Sequence, residues 1–287
     1  CQLIQHEALD AATQGFQDAL TEKLGDRVEF DVQNASGESV NCSTIINGFV
    51  SDQVDLILAN ATGALQAAVA GTSDIPILGT AVTDYATALD IDDWTGTVGG
   101  NVSGTSDCAP LDQQAAMILE LVPEAKTVGM LYCSAEPNSE YQVNVVTEAL
   151  KELNPDLEIK NYTFADSNDI SSVATSATEC DVVYIPTDNT AANNTEAINN
   201  VMEPAGVPVI AGEVGICQGC GIATLSISYY DLGYTTGEMA YEILEEGADI
   251  STMEVQYAPN VTKQYMADRC EKLGITVPDD YEAIEAE

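Results

Sequence analysis

Basic residues are scarce: 8 Lys and Arg stand against 47 Asp and Glu, leaving a formal net charge of −39. Nucleic acid is excluded as a partner, because a phosphate backbone demands clustered Lys and Arg. An anionic membrane surface is excluded on the same ground. The acids read instead as a solvated, self-repelling coat, which adaptation to salt would also produce. Histidine is nearly absent. A single His, His6, leaves little room for a Ser–His or Cys–His pair. No H-E-x-x-H, no P-loop and no G-x-G-x-x-G between a strand and a helix occurs, so no enzyme activity, cofactor or metal is expected. No run of eighteen apolar residues exists to span a bilayer, and no basic-then-apolar leader opens the chain.

Cysteine is present but poorly arranged for chemistry. Of the eight, the only close pair is Cys217-Gln-Gly-Cys220, with no second pair and no neighbouring His, which is weak for zinc. The adjoining stretch Gly221-Ile-Ala-Thr-Leu-Ser-Ile227 reads as a strand, so a redox site at a helix start is not expected. A local disulfide or two idle thiols remain, and other cysteines sit in apolar runs as small hydrophobes.

What the chain does have is duplication. Its 287 residues are 45% hydrophobic, enough for two domains. Asp55-Leu-Ile-Leu-Ala-Asn-Ala-Thr62 leads through a helical pattern to Ile75-Pro-Ile-Leu-Gly-Thr-Ala81. Asp181-Val-Val-Tyr-Ile-Pro-Thr-Asp-Asn-Thr190 leads in the same way to Val207-Pro-Val-Ile-Ala-Gly-Glu213. Short apolar runs alternating with helices indicate parallel sheets of βαβ units, hence two similar α/β lobes. Ligands of open α/β sheets bind outside the carboxyl ends of the strands, so a small molecule held between the lobes is expected.

In the first lobe the periodicities predict helices over 8–24, 40–50 and 64–70, strands over 28–32, 54–58 and 76–79, and an extended run over 96–104. In the second they predict helices over 110–121, 140–153, 170–177 and 191–202. Its strands fall over 127–132, 158–162, 182–185 and 207–211, with a last extended run over 221–228. A helix over 228–244 carries Gly233, Gly237 and Ala240 on one side, expected to pack on a sheet; the acidic tail to Glu287 is expected to cover an edge. Only Cys1 to Ile4 precede the first helix, so the first strand reads as cut short and Cys1 as part of it.

Several segments carry a specific resemblance. Asn101-Val-Ser-Gly-Thr-Ser-Asp107, Tyr184-Ile-Pro-Thr-Asp-Asn-Thr190, Pro208-Val-Ile-Ala-Gly-Glu213, Tyr229-Tyr-Asp-Leu-Gly-Tyr-Thr-Thr-Gly237 and Lys272-Leu-Gly-Ile-Thr-Val-Pro278 resemble the ABC-transporter substrate-binding proteins of the tryptophan/tyrosine-binding type. The resemblance runs along nearly the whole chain in order. It implies a type I periplasmic-binding-protein fold: two Rossmann-like lobes, a three-stranded hinge and closure on a ligand. The lobes would comprise residues 1–104 with about 229–253, and 105–228 with about 254–287. It implies an exported, membrane-anchored lipoprotein that passes an amino acid, aromatic or related, to a permease. The family's lipid-bearing cysteine precedes a first strand, whereas Cys1 does not, so the anchor is expected upstream.

A zwitterionic amino acid needs an acceptor for its ammonium and donors for its carboxylate. Asp188, with Asn189, follows the strand at 182–185 and would supply the acceptor; either could instead cap the next helix. Only two Arg exist, Arg27 and Arg269, neither at a strand end, so carboxylate donors would be hydroxyls, amides and helix N-termini. Ser134, Asn138 and Ser139 stand at such a start, where Ser139-Glu-Tyr-Gln142 also fits a capping box. Thr62, Thr80 and Ala81 are the matching positions in the first lobe. Glu213 would fix the hinge or a polar ligand group, Tyr229, Tyr230 or Tyr85 would form an apolar slot, and His6 could face the cleft or serve structure alone. A monomer binding a small amino acid is expected, with a sugar- or nucleoside-binding protein of the same fold and a ligand-sensing signalling lobe as rivals.

Overall fold

The computed structural model describes residues 1–258 and 260–284. They divide into two compact units, residues 1–108 with 228–258 and residues 109–227 with 260–284, so the chain passes between units three times. It opens in unit 1 with α1 (Glu7–Leu24), α2 (Ser39–Asp52), β1 (Ile57–Asn60), α3 (Thr62–Gly71), β2 (Ile77–Val82), α4 (Tyr85–Ala88) and β3 (Val102–Ser106). Unit 2 begins with α5 (Leu111–Leu121), β4 (Thr127–Cys133), α6 (Pro137–Leu153), β5 (Glu158–Phe164), α7 (Ile170–Ala177) and β6 (Val182–Ile185). It continues through α8 (Asn189–Ala192), α9 (Thr195–Ala205), β7 (Val209–Ala211), α10 (Val214–Cys220) and β8 (Ala223–Ser226). The chain returns to unit 1 for α11 (Tyr229–Glu245) and β9 (Gln256–Tyr257), then ends in unit 2 with β10 (Thr262–Tyr265), α12 (Ala267–Leu273) and β11 (Glu282–Ala283).

Unit 1 holds a parallel sheet in the order β1-β2-β3-β9. All six residues of β2 are buried, as a strand covered on both faces requires. The glycines of α11 pack differently from expectation: they face α1, not the sheet. A Cβ on Gly233 would lie 1.9 Å from the Ala12 carbonyl oxygen, and one on Gly237 2.7 Å from the Ala19 Cβ. Gly15 of α1 answers from the other side, where a Cβ would lie 2.1 Å from the Tyr230 carbonyl oxygen. Bare backbone on both helices lets them touch, which repays the helix propensity that glycine costs.

The segment expected as a strand over 28–32 takes no regular secondary structure and has no ladder partner among the described residues. Gln2 stands between the end of this segment and the sheet, bridging in parallel to Asn34 and to Asn60. Beyond Gln2 the two edges part, and a cavity of about 670 Å³ lined by Phe16, Leu20, Phe30, Val32 and Leu58 lies there. Alternation alone marks a segment as able to pair; pairing also needs a neighbour in register.

Unit 2 holds seven strands in the order β11-β10-β8-β7-β6-β4-β5, parallel except where β10 runs against β8. Part of its core is a cluster from β4, β6 and β7 with α7, α9 and α10, including Leu131, Val183, Ile198 and Val209; Ile118 of α5 and Val146 of α6 are also fully buried. The tail covers the β8 edge through β10 and β11; residues 285–287 of that tail lie outside the described residues. The helix expected over 191–202 is broken in two. Asn194 leaves helical geometry at φ −132°, and its side-chain amide donates 2.8 Å back to the Thr190 carbonyl, the local alternative that Asn offers a backbone.

Candidate functional site

In a parallel sheet all carboxyl ends share one rim, and both units build polar loops there. In unit 1 the rim lies just past Asn60, Val82 and Ser106. Two alanines on it hold backbone that L side chains rarely adopt: Ala61 at φ 86°, ψ 158°, and Ala81 at φ 51°. Ala81 sits in a register shift between Gly79 and Val82, a bulge that turns the end of β2. Strain of this kind costs of order 1–3 kcal/mol per residue and gathers at functional rims. Ala61 is tied on both sides, its amide donating 3.0 Å to Thr80 and its carbonyl accepting from Leu65 at 3.0 Å.

The sequence candidates of unit 1 divide between rim and core. Thr62 is the first residue of α3 and buried. Thr80 is buried beneath the rim, where its hydroxyl accepts from Thr105 at 3.2 Å, and Thr105 in turn meets Thr236 at 2.8 Å. His6 precedes α1 and is half-exposed. Tyr229 opens α11, buried, with its phenol donating 2.8 Å to Asp107 Oδ2. Tyr230 is exposed and bonded to Asp18. Tyr85 is core rather than rim: 1% exposed, it fills the space left by Gly79 and Gly104 and donates 3.1 Å to the Thr105 carbonyl.

In unit 2 the candidates converge. Asp188 caps α8 through Oδ1, accepting from the Ala191 amide at 2.8 Å. Its Oδ2 accepts from the Cys133 amide at 2.7 Å and the Ser139 hydroxyl at 2.8 Å. Asn138 donates 2.9 Å to the Thr187 carbonyl. Asn189 gives both its amides, backbone at 2.9 Å and side chain at 2.8 Å, to Glu136 Oε2. Ser134 is exposed, its amide bonded to the Phe164 carbonyl at 2.9 Å. Glu213 caps α10, accepting from the Gly215 amide at 2.7 Å and the Ile216 amide at 2.5 Å. Burial and the nearby Glu136 raise the Asp188 carboxyl above its ordinary value, while the three donors pull the other way.

Two residues of this arrangement, and one on the rim of unit 1, were not singled out as site residues from sequence. Glu136 clamps the β6–α8 loop, taking the Thr190 amide at 2.8 Å and hydroxyl at 2.7 Å besides both Asn189 groups. Gln142 adds a reciprocal pair with Thr187, at 2.6 Å and 3.1 Å. Asp107, one residue past β3, is buried at 5% exposure. A signal existed for Glu136: an acid immediately before Pro137, which opens α6, marks a residue held at a helix start. Asp107 closes the segment Asn101–Asp107 that carries the resemblance, but neither its residue type nor its spacing sets it apart from the chain's other acids. The Cys217–Cys220 pair lies inside α10 rather than in a loop, buried and unbridged. Among the described residues no cluster of His, Cys, Asp and Glu could hold a metal ion, and no helix is long and apolar enough to cross a membrane.

Residues 1–286 match the family model described as ABC transporter substrate binding protein. The chain belongs to that family. A curated relative, the tyrosine-binding protein of Clostridioides difficile (strain R20291), is 37% identical over 248 residues, 85% of this chain and 71% of its own. Among solved structures, an ABC domain from Streptococcus pneumonia in complex with L-Trp superposes with a TM-score of 0.93 at 30% identity, covering 99% of this chain and 97% of that one. A ligand-free, open substrate-binding protein with adhesive properties from Clostridium difficile gives 0.74 at 34% identity, covering 100% and 98%. A LacI-type transcriptional regulator from Bacteroides fragilis, TM-score 0.64 at 11% identity over 91% of this chain and 94% of its own, shares the fold alone. The α/β architecture is therefore that of a type I periplasmic binding protein.

Proposed function

We propose that this substrate-binding protein captures an aromatic α-amino acid, Trp, Tyr or Phe, outside the cytoplasm and delivers it to the permease of an ABC importer. The observation that carries the reading is the pair of relatives whose ligands are stated, one tyrosine and one L-tryptophan, each similar to this chain over most of its length. Each unit's carboxyl-end rim is a proposed binding surface, with Thr62, Ala81, His6 and Tyr229 in unit 1 and Ser134, Asn138, Ser139, Asp188, Asn189 and Glu213 in unit 2. Thr80 supports its rim from below. Asp188 enters chiefly as the residue that fixes its loop, since three donors already occupy it. The protein would act as a lipid-anchored monomer that binds without turning its ligand over.

A thermal-shift screen of amino acids, sugars and nucleosides tests this. At a hundred times Kd, binding adds about 2.7 kcal/mol to the folded state, which reads as a rise of several degrees. The rise is expected with Tyr, Trp or Phe. A rise confined to sugars or nucleosides would replace the reading with its rival, and consumption of any ligand would make the protein an enzyme.

A further inference from the structure

Four carboxylates are buried among the described residues: Asp107, Glu136, Asp188 and Glu213. A buried carboxylate is stable only when hydrogen-bonded, paired or protonated. Three of the four are provided for by their own unit. Glu136 takes donors from Asn189 and Thr190 on both oxygens, Asp188 takes three donors, and Glu213 takes two backbone amides.

Asp107 is different. Its Oδ2 accepts the Tyr229 phenol at 2.8 Å, but its Oδ1 is buried without a hydrogen-bond partner. None of the ion pairs among the described residues includes it. The neighbours that sense its charge, Tyr85 and Cys108, are acids themselves and cannot compensate it. Burial pushes its carboxyl up from the ordinary value, against hydrogen bonds from Tyr229 and Thr83 that favour the charged form. Its place is the end of β3, on the same rim as the strained Ala61 and Ala81. In a chain with 8 basic residues, this buried, underused acceptor at a strand's carboxyl end meets no cation among the described residues.

We propose that Asp107 is the specificity-determining residue of the site and receives the primary ammonium group of an α-amino acid on Oδ1. This assignment rests on the amino-acid reading and adds to it the group that the protein demands. The ammonium supplies a charge and a donor together, both of which Oδ1 lacks. A ligand without the amine leaves that oxygen unsatisfied, and sites built around one polar group reject analogues that lack it far more strongly than they reject a missing methylene.

Calorimetric titration of wild type and Asp107→Asn with L-tyrosine, L-tryptophan and their deamino analogues, 3-(4-hydroxyphenyl)propanoate and 3-(indol-3-yl)propanoate, tests it. Wild type is expected to prefer the amino acids by about 100-fold or more, and Asp107→Asn to prefer them by about tenfold or less. The melting temperature of Asp107→Asn should stay at or above that of wild type, since the change removes an uncompensated buried charge. If Asp107→Asn does not fold, Asp107→Ser carries the same comparison. Unchanged discrimination in the variant overturns the assignment while leaving amino-acid binding intact. Wild-type binding of sugars or nucleosides but no amino acid overturns the parent reading and the assignment with it.

Discussion

Glu136 brings a carboxylate to 9% exposure between two loops, and the donors aimed at it decide what that costs. The backbone amides of Asn189 and Thr190 point at it from the start of α8, with a side-chain amide and a hydroxyl beside them. Removing the acid strands those amides, and each unsatisfied buried donor costs roughly 1–3 kcal/mol. Glu136→Ala is therefore expected to lower the unfolding free energy by roughly 3 kcal/mol in urea titration. Glu136→Gln, which keeps one acceptor oxygen, should lose about half of that. A loss below about 1 kcal/mol for the alanine would show that water or a rearranged loop satisfies the donors. Because the same residues form the unit 2 rim, Glu136→Ala should also weaken ligand binding by loosening the loop, not by deleting a contact.

At the scale of the element, α10 explains why parts of the fold were legible in the sequence and others were not. Buried strands announce themselves through unbroken apolar runs, and β4, β6 and β7 lie close to where those runs predict them. The helix over 170–177 is also in place, carried by Ile170, Ala174 and Ala177 at helical spacing on the core. Val214-Gly-Ile-Cys-Gln-Gly-Cys220 carries two interior glycines and no strong period, so local preference argues against a helix. It is helical because both ends are held from outside. Glu213 takes its first amides, and Arg269 of α12 donates to the carbonyls of Cys217, Gly219 and Gly221 at 2.8, 3.0 and 2.9 Å. The guanidinium comes from about fifty residues away in sequence, so no local window could contain it. Most of the site was hidden for a similar reason: strand-end positions could be named, but which acid has its donors filled depends on loops from different βα units. Arg269→Ala is expected to cost roughly 2 kcal/mol and to lower amide protection over 214–221 in hydrogen exchange. Protection unchanged in that window would mean the helix stands on packing alone.

For the whole molecule the governing quantity is the net charge of −39. The ion pairs of Lys23, Arg27, Lys160, Lys263 and Lys272 all lie at partly exposed sites, where each contributes little. Self-repulsion among the remaining acids is therefore largely uncompensated and acts against the compact state. Salt shortens the reach of that repulsion, from about 10 Å at 0.1 M to about 3 Å at 1 M. The melting temperature is expected to climb by several degrees between about 0.1 and 1 M KCl; a flat or falling curve would show that the ion pairs outweigh the repulsion. Measured at the higher salt, the pH dependence then isolates the buried acids. Asp107 and Asp188 both have folded-state values raised above the ordinary 3.8, by burial first. A raised acid binds its proton more tightly folded than unfolded, so its stabilisation is present in full at low pH and is lost as pH rises through the folded value. Stability in high salt should thus decline as pH rises from about 4 towards neutrality, and Asp107→Asn should flatten part of that decline. An unchanged slope in the variant would mean that Asp107 is ionised in the folded protein throughout this range, with a cation beside it.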